Sequence, residues 1–177
     1  MKVTETEIKD VFIIEPKLFR DDRGYFFESF NAQKFKELTG SDLTFVQDNQ
    51  SQSNRGTLRG LHYQEDPHAQ GKLVRVVSGA VLDVVVDIRK DSPTYGKYIS
   101  EVLTSFDNNM LWLPPGMAHG FVALDDFTIF SYKCTDYYHP ECEKCIAWND
   151  QDINIDWGFD EPLVSEKDQQ GILFKNI

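Results

Sequence analysis

No run of apolar residues in this chain approaches the roughly 20 needed to cross a bilayer, and the opening MKVTETEIKD lacks the apolar stretch of a secretory signal. Basic residues are in deficit: 18 Lys plus Arg stand against 29 Asp plus Glu, a formal charge of −11. This disfavours a general electrostatic hold on nucleic acid or on an anionic membrane, so a phosphate group has to be met by a local cluster of cations. Cysteine is also sparse. Cys134, Cys142 and Cys145 cannot all pair within the chain, which argues against a secreted disulfide framework. Reduced thiols and a cytoplasmic location are the expectation. Linkers, repeats, heptads and low-complexity stretches are missing, and 177 residues suit a single domain spanning residues 1–177.

What is present is a succession of short runs rich in Val, Ile, Phe and Tyr: VFIIEP, YFFESF, TFVQDN, TLRGLHYQ, KLVRVVSG, AVLDVVVDIR, NMLWLPP, GFVAL and TIFSYKC. Turn residues separate them, as at Asn54-Arg55-Gly56, Ser78-Gly79, Lys90 to Pro93, Asp107 to Asn109 and Asp125-Asp126. The pattern predicts an all-β fold, an antiparallel sandwich or barrel with a few short helices. One helix is expected over Ala32 to Leu38, capped by Asn31, with Phe35 and Leu38 at helical spacing. The acidic tail from Asp150 reads as loops and a short helix packed on the body.

Two polar intrusions into strand-like runs ask for an explanation. In Val81 to Arg89, the residues Leu82, Val84, Val86 and Ile88 share one face, and Val81, Asp83, Val85, Asp87 and Arg89 the other. Both faces are partly apolar, as in a sandwich wall beside a pocket. The simplest reading leaves Asp87 on the solvent face; Asp83, deeper in the valines, is balanced between solvent and a buried cationic partner. In Thr57 to Gln64, TLRGLHYQ, an arginine and a histidine sit among leucines. Strict alternation puts Arg59 and His62 on opposite faces, unless Gly60 hosts a bulge that turns both inward.

Gly56 with His62, and Pro114-Pro115-Gly116-Met117-Ala118-His119, resemble the paired motifs of the cupin superfamily, which implies a jelly roll. Metal-binding cupins use an H-x-H pair and a downstream Glu. Here Gln64 stands two after His62 and no Glu follows at the right place, so the three-ligand site looks dismantled and no metal is expected. The longer blocks DDRGYFFESF, VQDNQSQSNRGTLRGLHYQ, QGKLVRVVSGAVLDVVVDIRKDSPTYGKY, LPPGMAHGF, SYKCTDYYHPECE, IAWNDQDINIDW and SEKD resemble the dTDP-4-dehydrorhamnose 3,5-epimerase family in uninterrupted order from Glu15 to Asp168.

That resemblance implies a cofactor-independent epimerase of rhamnose biosynthesis, inverting C3′ and then C5′ of dTDP-4-dehydro-6-deoxy-D-glucose. His62 would be the base, Asp168 the carboxylate that orients it, Tyr132 the acid that protonates C5′, and Lys72 the cation near the C4′ oxygen, held by Asp83. Arg59 and Arg23 would meet the diphosphate, with Phe26 and Glu28 beside Arg23. Gln47, Asn49, His119 and Tyr138 would complete the pocket, Tyr137 being the rival for the place against the thymine. A homodimer is implied, the N-terminal segment reaching the partner's site. Taken singly, these residues have blander readings: a core histidine, a half-buried tyrosine, a snorkelling lysine, and an Arg23 paired with Asp21 or Asp22. The alternatives are a relative inverting only C3′ or only C5′, a ketoisomerase on the same type of nucleotide sugar, against which the His62, Tyr132 and Asp168 set argues, a noncatalytic sugar-binding cupin, and a zinc-stabilised module built on His139, Cys142, Cys145 and Cys134.

Overall fold

The computed structural model describes residues 1–177. In chain order its elements are β1 (Lys2–Glu5), β2 (Phe12–Glu15), β3 (Phe19–Asp21), β4 (Gly24–Phe26), α1 (Ala32–Thr39), β5 (Gln47–Ser53), β6 (Thr57–Gln64), β7 (Lys72–Ser78), β8 (Ala80–Asp87), β9 (Tyr98–Thr104), β10 (Met110–Leu113), β11 (Met117–Ala123), β12 (Thr128–Cys134), β13 (Glu143–Cys145), β14 (Leu163–Val164), α2 (Glu166–Gln169) and a 3-10 turn, Phe174–Asn176. One sheet runs β1-β2-β10-β7-β12-β5 and the second β13-β6-β11-β8-β9, with β14 added to β6 and β3-β4 standing apart as a hairpin. Apart from β14, every strand pair is antiparallel. The chain is an all-β fold of packed antiparallel sheets with two short helices, as its strand pattern predicts, and a cupin-type jelly roll, as the resemblance implies.

Three apolar clusters explain why the strands pair this way. Val81, Val85, Met117 and Phe121 of the second sheet meet Val74, Val76, Leu111 and Phe130 of the first, filling the space between the sheets. Behind the second sheet, Leu58, Leu61, Val84, Val86 and Val122 are covered by Ile146, just after β13, and by Ile153 and Trp157 of the tail. Behind the first, Phe35 of α1 packs on Ile14, Leu73, Met110 and Trp112. The period-two pattern of β8 therefore serves two cores at once, each valine face burying its methyl groups against a different layer.

Helix α1 forms where expected. The Asn31 side chain accepts from the Lys34 N–H at 3.1 Å, and Gly40, at φ 71°, ends it by donating to the Lys36 carbonyl. Phe35 anchors the helix, while Leu38 stays exposed.

Other expectations are corrected. Strand β5 begins at Gln47, after Phe45 and Val46, and continues through the polar Gln50–Ser53. It lies at a sheet edge, so alternate polar side chains face solvent and the cavity. Strand β9, YISEVLT, has no clean alternation and was not visible as a strand in the sequence; β8 holds it by seven residue pairs. Asp87 is not on the solvent face. It is fully buried, accepting from Arg89 Nε at 3.0 Å and from the hydroxyls of Ser92 and Thr94 at 2.6 Å each.

All three cysteines are free. The set His139, Cys142, Cys145 and Cys134 does not gather: His139 groups with His68 and Asp136, and Cys145 with His62 and Asp168. No helix is long and apolar enough to cross a membrane.

Candidate active site

The registry of β6 against β11 settles how an arginine and a histidine three residues apart reach one cavity. His62 pairs with His119 and Arg59 with Phe121, so three steps on β6 oppose two on β11, a bulge at Gly60. Only glycine fits there: φ is +135°, and a Cβ would lie 2.5 Å from Gly120 Cα and 2.9 Å from the His119 carbonyl oxygen. With the register shifted, Arg59 and His62 both line a cavity of about 320 Å³ together with Lys72, His119, Tyr132 and Asp168.

His62 Nε2 lies 2.7 Å from Asp168 Oδ1, and Asp168 Oδ2 accepts from the Gly60 N–H at 3.3 Å. Asp168 is buried, at the start of α2, whose cap is Ser165. Burial by itself would raise the Asp168 pKa; the hydrogen bond and charge of His62, with the Gly60 N–H, outweigh it and hold the carboxyl below its ordinary value. A carboxylate at Nε2 keeps the imidazole proton there. That leaves Nδ1, which makes no hydrogen bond within the chain, with a free lone pair.

Across the cavity stands Tyr132, on β12 of the other sheet, opposite Asn49 of β5. Burial raises its pKa, so the phenol is a neutral donor at neutral pH. Lys72 is buried and donates to the His62 carbonyl at 3.4 Å. Burial lowers its pKa, with Cys134, Asp83 and Glu143 opposing. Asp83 does not hold Lys72 directly. Its carboxylate is engaged by His119 Nε2 at 2.9 and 3.0 Å, so the buried partner left open by the sequence is a histidine. Burial raises the Asp83 pKa, and His119 and then Lys72 oppose it.

Arg59 donates through Nε to Ser53 Oγ at 3.1 Å and through Nη2 to the Gln52 carbonyl at 3.3 Å. A smaller adjoining cavity collects Gln47, Asn49 and Tyr138 beside His62, Lys72 and Tyr132. Tyr138 rather than Tyr137 lines it, and the Tyr138 hydroxyl donates to Glu143 Oε2 at 2.7 Å.

Three expected site residues are not brought to the cavity of their own chain. Arg23 grips Asp21, with Nη2 to Oδ2 at 2.6 Å and its side chain 90% exposed. Phe26 is 67% exposed on the β3-β4 hairpin. Glu28 is engaged by Lys34 and by Asn31 Nδ2.

Sequence reasoning missed several lining groups. Glu143 and Lys167, an ion pair, both face the cavity, and Lys167 adjoins Asp168 in the quoted SEKD block. Ser51 also lines it, and its Oγ is the one buried side-chain polar atom without a hydrogen-bond partner. Its signal was available: Gln47, Asn49, Ser51 and Ser53 share the inward parity of β5.

A jelly roll that holds a carboxylate-bound imidazole on one sheet and a protonated phenol on the other belongs to the class of cupin-type proton-transfer enzymes. The chain is a member of the dTDP-4-dehydrorhamnose 3,5-epimerase family, whose model matches residues 5–176. It is 53% identical to the dTDP-4-dehydrorhamnose 3,5-epimerase of Pseudomonas aeruginosa, over 98% of this chain and 96% of that protein. The structure of a dTDP-6-deoxy-D-glucose-3,5-epimerase from Legionella pneumophila, in complex with dTDP-4-keto-L-rhamnose, superposes with a TM-score of 0.96 at 47% identity, covering 99% of this chain and 94% of that one. A 3′-monoepimerase from Streptomyces bikiniensis in complex with dTDP-quinovose gives 0.91 at 35% identity over 96% and 86%.

Proposed function

We propose that this chain inverts C3′ and C5′ of dTDP-4-dehydro-6-deoxy-D-glucose to give dTDP-4-dehydro-L-rhamnose, in the cytoplasm and without metal or organic cofactor. The carrying observation is that His62, backed by Asp168, and Tyr132 line one cavity from opposite sheets. Inversion needs a base on one face of a carbon and an acid on the other.

The C4′ ketone acidifies the hydrogens on both neighbouring carbons. His62 Nδ1 takes the C3′ proton, and Asp168 stabilises the imidazolium that results. Negative charge collects on the C4′ oxygen, where the ammonium of the buried Lys72 stabilises it. A proton returned to the opposite face completes each inversion, with Tyr132 the donor at C5′. Arg59 takes the diphosphate in a two-pronged grip, while Gln47, Asn49, His119 and the unpartnered hydroxyl of Ser51 offer hydrogen bonds to the sugar. Tyr138 stands against the thymine. In a homodimer the β3-β4 hairpin, with Arg23 and Phe26, and Glu28 just after it reach the neighbouring cavity, where Arg23 completes the cation cluster that an acidic chain needs for a diphosphate.

The test is turnover of the keto sugar in deuterated water, followed by NMR of the product. Deuterium enters at both C3′ and C5′ with the unaltered chain. His62→Ala loses both exchanges by about 10²–10⁴-fold, and Tyr132→Phe mainly loses the second. Full exchange in His62→Ala refutes the mechanism, and label at C3′ alone assigns the chain to single-position epimerisation.

A further inference from the structure

Cys145 adjoins the dyad and takes no part in the chemistry above. It is the cross-strand partner of His62 on β13, so the two side chains leave the same face of the sheet. Asp168 arrives from α2, and one donor atom from each of the three lies within 4.8 Å of the others. Tetrahedral zinc, with bonds of about 2.0–2.3 Å, spaces its ligand atoms roughly 3.3–3.8 Å apart, so side-chain shifts of about 1 Å convert this cluster into a coordination sphere. Thiolate, imidazole and carboxylate form a donor set that zinc favours, and one divalent ion neutralises both anions, as a buried location requires.

We propose that Cys145, His62 and Asp168 form an inhibitory site for a thiophilic divalent cation of the zinc class. In the metal-free chain burial pushes the Cys145 thiol up to about 12, and Sγ rests against the Ile146 carbonyl at 3.5 Å. The ion supplies the charge that burial denies, and the thiol proton leaves to solvent. An ion on His62 Nε2 also takes the place of the proton shared with Asp168, and that proton passes to Nδ1. Nδ1 is the nitrogen that epimerisation needs unprotonated, so the bound ion removes the base without any change of fold. Three protein ligands leave a fourth position for water.

The other histidine cluster does not compete on geometry. The rings of His68 and His139 stack at 3.4 Å with 13° between their planes, so their lone pairs lie in two nearly parallel planes and do not converge on one ion unless a ring turns.

The site itself stands apart from the epimerase reading; only its inhibitory effect rests on it. Cobalt(II) titrated into the reduced full chain tests the site directly, through thiolate-to-metal charge-transfer absorption in the near ultraviolet. The band is expected in the unaltered chain and in His139→Ala, and is expected to vanish in Cys145→Ser. Zinc is expected to inhibit turnover reversibly with EDTA, and Cys145→Ser to keep metal-free turnover while weakening zinc inhibition by about 10- to 100-fold. Should that variant fold poorly, slower alkylation of Cys145 by iodoacetamide in zinc-treated unaltered chain, mapped by mass spectrometry, supports the site. An absent band, unprotected Cys145, or equal zinc inhibition in Cys145→Ser overturns it. A cobalt band in a chain that never epimerises the keto sugar leaves the site standing and removes the function.

Discussion

Asp83 and Asp87 lie on the same face of β8, and both are wholly buried, yet their environments act in opposite directions. Asp83 has a single side-chain partner, His119, and burial wins, raising its pKa. At Asp87 burial also acts to raise the pKa, but hydrogen bonds from Arg89, Ser92 and Thr94 outweigh it and bring the carboxyl to about 2. The sign for stability follows from the lowered folded value. Asp87 contributes above the ordinary carboxylate pKa of about 4, and that contribution is lost as pH falls from about 4 to 2. Urea unfolding at stepped pH should show the unaltered chain losing about 2 kcal/mol more than Asp87→Asn across that window; parallel curves would refute it. Sequence parity grouped Asp87 with Asp83 and Val85, but the solvent exposure read for it was wrong, because parity does not reveal its surroundings. Its partners Ser92 and Thr94 belong to a turn that folds back on β8, and alternation within one strand carries no information about that.

At the scale of the element, the bulge in β6 decides whether the site exists. Gly60 is a single residue whose left-handed conformation and contact with Gly120 shift the register by one, turning a strand that would split Arg59 from His62 into one that presents both. Gly60→Ala forces a Cβ into backbone that has nowhere to retreat. We expect it to lower Tm by about 5–10 °C and to abolish turnover, measured by calorimetry and by deuterium exchange into the sugar. A variant with native Tm and activity would show that the bulge is dispensable. Glycine between Arg and His hinted at this device, because strand glycines mark bulges and close approaches. The edge strand β9 carried no comparable sign: Ile99, Val102 and Leu103 do not alternate, and its pairing with β8 supplies the order that its own pattern lacks.

For the whole molecule, the β3-β4 hairpin is where the proposed homodimer is tested. Phe19, Tyr25 and Phe26 are exposed there, and Arg23 is held only by Asp21. Sedimentation should give twice the 20.4 kDa chain mass, and Arg23→Ala should weaken dTDP binding about tenfold by calorimetry while leaving that mass unchanged; a fully active monomer would sink the shared-site reading. The succession of short β-rich runs, the turns between them, the capped helix and the cupin-like histidine motifs were all decided locally, by side-chain period and backbone preference, and so could be read in the sequence. Four things were not local: the partner of each buried charge, the orphan hydroxyl of Ser51, the meeting of Cys145 with His62 and Asp168, and the placing of the His62 imidazole and the Tyr132 phenol on opposite walls. Each joins residues far apart along the chain, and only the packing of one sheet on the other, under the requirement that every buried charge find a partner, brings them together.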